Sequence, residues 1–89
     1  MAIDDDTINR ALDDVENSLE KFVPDNKFKC KHWVAMESLL VAQYTTRLEN
    51  LLRSMAYPPL DQLETKFRYI ISNRMKDFLV VAKDDYDKD

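Results

Sequence analysis

The chain has no glycine in its 89 residues. That removes every device built on a glycine-rich loop: the P-loop, the dinucleotide-binding turn and the nucleophile elbow. It has a single cysteine, Cys30, and a single histidine, His32. Two such residues make neither a four-ligand zinc site nor a disulfide framework. A thiolate–imidazole pair would also need an orienting group and an oxyanion site. Neither is visible, so Cys30 and His32 read as a half-buried thiol and a surface imidazole. An unpaired cysteine suits a reducing compartment. Long apolar runs are missing too. The longest, Phe78 to Ala82, is far too short to cross a bilayer. The opening Met-Ala-Ile-Asp-Asp-Asp has no basic or apolar leader region. The expected location is the cytoplasm or nucleus, or the host cytoplasm if the chain is viral.

What is present is charge and helical periodicity. The net charge is −4, which gives no global attraction to nucleic acid or an anionic membrane. It is unevenly placed: −6 over residues 1–20, +5 over 21–76 and −3 over 77–89. A chain of 10.5 kDa holds one small domain.

Prolines at 24, 58 and 59 cut the chain into three segments. In the first, about residues 6–22, Ile8, Leu12, Val15, Leu19 and Phe22 form a narrow heptad-type seam. Asp4, Asp5 and Asp6 precede it as capping acids. Pro24 is expected to stop it, with Asn26 taking the left-handed turn position that glycine would otherwise fill. The second segment, about 31–56, carries Trp33, Leu40, Val41, Tyr44, Leu48, Leu51, Leu52 and Met55. The third, about 60–83, carries Leu63, Phe67, Ile70, Ile71, Phe78, Val81 and Ala82, with Asp61 and Glu64 spaced like a capping box. Residues 84–89 read as a frayed acidic tail. Asp85, Asp87 and Asp89 alternate like the start of an EF-hand loop, but the glycine and the closing glutamate are missing.

The spacing predicts an all-α, three-helix, up-down-up bundle with a long hairpin between the second and third helices. A first helix folded back from Pro24 reaches only to about Tyr44–Arg47. The far half of the hairpin would then lack a third helix, exposing Leu48, Leu51, Leu52, Met55, Tyr57, Leu60, Leu63 and Phe67. Alternatively the first helix projects as a coiled-coil arm, which its narrow seam also suits.

An apolar surface of that size marks an interface. The expected function is therefore a protein–protein interaction module: a regulator, inhibitor, adaptor or assembly subunit. Its anchors would be Leu48, Leu51, Leu52, Met55, Tyr57, Leu60 and Leu63. The partner is another protein or a second copy, since two hairpins can close into a homodimer with a four-helix core. Tyr69, Lys76 and Val80 form a second contact face on the third helix. The alternative is nucleic-acid binding. Bases and aromatics interleave from Lys27 through Phe28, Lys29 and Lys31 to Trp33, and Lys66 and Arg68 lie on the third helix. Glu37 and Arg74 fall inside apolar stripes and either form a buried ion pair or snorkel to water. No serine has a nucleophile's context and no acid pair lies in an evident cleft, so no enzyme, cofactor, metal or small-molecule substrate is expected.

Overall fold

The computed structural model describes residues 4–88. Among them there is no strand. Four α-helices follow in order: α1 (Asp5–Ser18), the short α2 (Phe22–Asn26), α3 (Trp33–Ser54) and α4 (Thr65–Asp87). Single 3-10 turns cover Lys27–Lys29 and Leu60–Gln62. The fold is all-α, as the periodicity requires, but the described residues form four helices where the spacing predicts three.

The extra helix comes from Pro24. The first helix ends before the proline, at Ser18. There the Ser18 hydroxyl donates back to the Val15 carbonyl, and Arg47 of α3 donates to the Ser18 carbonyl at 3.0 Å. A continuous helix would set the Pro24 ring against the carbonyl of Glu20. Restarting the helix at Phe22 puts Pro24 in a first turn, where no N–H is needed. Pro24 therefore belongs to the start of α2 and does not terminate α1. Asn26 is not left-handed: its φ is −117°, and its side-chain amide donates to the Phe22 carbonyl at 2.9 Å.

The left-handed position falls at Ala56, with φ 62°. It closes α3 in a Schellman arrangement. The Tyr57 N–H donates to the Leu52 carbonyl at 2.9 Å and the Ala56 N–H to the Arg53 carbonyl at 3.0 Å. At the other end of the chain Asp4 caps α1 as expected, accepting from the Thr7 N–H at 2.7 Å. That bond holds the Asp4 carboxyl below its ordinary pKa.

Two boundaries differ from the periodicity. Residues 60–62 are a separate 3-10 turn, and Glu64 precedes α4 without a side-chain cap, so the Asp61–Glu64 box does not form. The C-terminal stretch is helical through Asp87, not frayed. The Tyr86 hydroxyl donates to the Cys30 carbonyl at 2.8 Å, and Lys27 donates to the Lys88 carbonyl. Asp89 lies outside the described residues.

α3 and α4 form an antiparallel hairpin. The molecule measures 45 × 20 × 19 Å. α1 and α2 lie end to end along one side of the hairpin, and this sets the core. Ile8, Leu12 and Val15 of α1, with Leu19 just after it, pack on Tyr44, Leu48 and Leu52 of α3 and on Leu63, Phe67 and Ile71. Val23 of α2 and Cys30 pack with Met36, Leu40 and Ala82 at the other end. The far half of the hairpin is thus covered by α1, contrary to the expectation of a bare end. The fold-back estimate placed the turn at Pro24. In fact residues 22–30 cover the near end, so α1 is carried about one helix length further along.

Candidate interaction site

The anchors expected at the far end are largely internal. Leu48, Leu52 and Leu63 are buried in the core beneath α1. Leu51, Tyr57 and Leu60 are half-buried against the same core. Met55 is the most exposed of them, at 37%. Val81, read as part of the third helix's core stripe, instead stands 60% exposed.

The opposite side of the hairpin end is not covered by α1. Leu60, Ile71 and Met75 floor a wide, shallow depression there of about 700 Å³, edged by Pro59 and Thr45. The 3-10 turn at Leu60–Gln62, which precedes α4 at Thr65, supplies Leu60 and Asp61 to it. Its rim carries both signs of charge: Glu49 and Asp61 against Arg68.

A second groove, of about 390 Å³, runs between the α1–α2 junction and the later half of α4. Its floor is Leu19, Val23, Phe78, Val81 and Ala82. Phe78 belongs to both core clusters and meets the Tyr44 ring with centroids 5.4 Å apart. The groove exists because α1 stops at Ser18 and the chain jogs before α2, so neither helix fully covers α4 there.

One polar network closes the inner end of this groove. The fully buried Tyr44 donates its hydroxyl to Oε2 of Glu16 at 2.6 Å. Burial, with the Glu16 carboxylate second, pushes the Tyr44 hydroxyl far above its ordinary pKa. Arg74 of α4 donates to Glu16 at 3.3 Å, to the Asn9 side chain at 3.2 Å and to Asp13. Partial burial opposes the Arg74 charge, but the hydrogen bonds to Asp13 and Glu16 outweigh it and raise its pKa. Arg74 therefore pairs with α1 and not with Glu37. The hairpin alone brings no acid of α1 near Arg74; packing α1 beside α4 does. Glu37 is half-exposed on another side, beside Lys76 and Lys83.

Tyr69 and Val80 are 68% and 61% exposed. Val80 and Lys76 line a shallow groove of about 370 Å³ with Trp33 and Leu79. No protein-family model, curated protein or solved structure matches this chain.

The basic residues fall into two groups that the fold keeps apart. Lys27, Lys29 and Lys31 sit at the end of the hairpin where Tyr86 docks. Lys66 and Arg68 open α4 at the other end. Twenty helical residues separate Lys66 from Tyr86, about 30 Å. Several of these cations already have partners: Lys27 lies over the Tyr86 ring, Lys66 over Phe67, and Arg68 reaches the Thr65 hydroxyl.

Among the described residues no three His, Cys, Asp or Glu side chains cluster to hold a metal ion. No helix among them is long and apolar enough to cross a membrane.

Proposed function

We propose that this chain is a protein–protein interaction module that docks through the α3–α4 face at the hairpin end. The observation that carries this reading is the apolar surface of the half-buried Leu60 and Met75, over the buried Ile71, in a depression that no α1 residue lines. Apolar surface in a shallow, wide depression suits a helix or a flat protein face better than a small ligand.

The rim favours a second copy as the occupant. It carries Glu49 and Asp61 together with Arg68. A two-fold axis through the depression sets Arg68 of each copy toward the acids of the other, the self-complementary pattern an isologous dimer needs. Two hairpins meeting this way form a four-helix layer, with each α1 on the outside. The nucleic-acid alternative lacks comparable support, because its cations lie at opposite ends of the molecule.

Absolute mass by light scattering, over a hundredfold concentration range, tests the reading. A dimer near twice 10.5 kDa is expected. Met75→Asp should return the chain to monomer with an unchanged helical spectrum. A wild-type monomer at every concentration would remove the second copy as occupant. A dimer indifferent to Met75→Asp would place the interface elsewhere.

A further inference from the structure

We infer that the groove between the α1–α2 junction and α4 is a docking site for a basic amphipathic helix of another protein. It lies on a different side of α4 from the hairpin depression, so it stands independently of the proposed dimer.

Three observations carry the inference. The first is shape. The α4 wall runs from Arg74 to Asp85, twelve residues spanning about 16 Å. That matches three turns of a helix lying in the trough. The second is the floor. Phe78 and Val81 are one turn apart on α4, and Val81 remains 60% exposed although its neighbour Ala82 is buried. An apolar strip of this kind takes anchors at i and i+4 of a helix. The third is charge. Glu16 and Glu20 edge one side, and Asp77 and Asp85 edge the other. Arg74 is the one base lining the groove, and Asp13 and Glu16 already neutralise it. Among the described residues, Glu20 and Asp77 have no ion-pair partner. An apolar trough with acid on both edges selects a helix whose apolar stripe is flanked by Lys or Arg.

The test titrates the full chain, labelled with nitrogen-15, with a synthetic amphipathic helix of about 15 residues. That peptide carries leucines at helical spacing with lysines on both flanks. A control peptide has glutamate at every lysine position. The lysine peptide should shift the amides of Leu19, Glu20, Val23, Phe78 and Val81. The control should bind at least tenfold more weakly. Affinity should fall at least tenfold in Glu20→Lys combined with Asp77→Lys, and also in Val81→Asp. All three sites are exposed, and an unchanged amide spectrum elsewhere confirms the fold. The inference is overturned if both peptides bind equally or if the shifts fall outside the groove. It is also overturned if the groove amides shift with protein concentration alone, which would make a second copy the occupant, for instance through its exposed Phe28 between Lys27 and Lys29. Running the titration on Met75→Asp keeps this result separate from the dimer.

Discussion

Tyr44 and Glu16, 28 residues apart, share a 2.6 Å hydrogen bond that ties the middle of α3 to the end of α1. The phenol is fully buried and its acceptor also receives Arg74. A short, charge-assisted bond in such a setting is worth more than a neutral surface one. Tyr44→Phe should lower stability by about 1–2 kcal/mol in urea unfolding, with the helical spectrum unchanged.

The same residue sets an alkaline limit. The folded state holds the Tyr44 hydroxyl above its ordinary value of 10.0. A raised folded pKa gives stability that is complete below the unfolded pKa and is lost as pH rises beyond it. Stability should therefore fall above about pH 10, and Tyr44→Phe should flatten that fall. In an absorbance titration, Tyr44 should ionise only on unfolding.

Ala56 sits left-handed, at φ 62°, where a side chain costs about 1–2 kcal/mol. The Schellman bonds of Ala56 and Tyr57 hold it there. Ala56→Gly removes the clash and costs some unfolded-state entropy, so a net gain of about 0.5–1 kcal/mol is expected. Thermal unfolding reads it directly; a loss of stability would mean the turn is not built this way.

Leu52 and Met55 separate core from surface on α3. Leu52 is 1% exposed beneath α1, and Met55 is 37% exposed. Leu52→Ala should cost about 2–5 kcal/mol, a large share of a small domain's stability. Met55→Ala should cost under about 1 kcal/mol. Equal small effects would restore the bare hairpin end that the sequence alone suggests.

The helices were legible because their apolar stripes are long. The seam from Ile8 to Leu19 and the stripe from Tyr44 to Leu52 are local patterns, and both are buried as their spacing requires. What the pattern missed depends on contacts between distant residues. The stop at Ser18 involves Arg47, 29 residues away. The C-terminal turn of α4 stays helical because Tyr86 finds Cys30. Arg74 looked like a core charge because its partners, Asp13 and Glu16, lie on a helix whose placement is not a local property. A chain without glycine also gives no marker for its left-handed residue, and Ala56 is silent in that respect. The grooves are harder still. Glu20 and Asp77 oppose each other only because α1 ends before α2 begins, and only the first helix's early stop could have hinted at it.

The placement of α1 underlies both grooves, and a spin label reads it directly. Asp6 and Lys66 border the same hollow at the hairpin end. A nitroxide on Asp6→Cys, in a Cys30→Ala background, should broaden the amides of Lys66 and Phe67 and leave those of Met36 to Leu40 sharp. Broadening centred on Tyr44 to Arg47 instead, with Lys66 unaffected, would mean that the first helix folds back short and that the far end of the hairpin is bare.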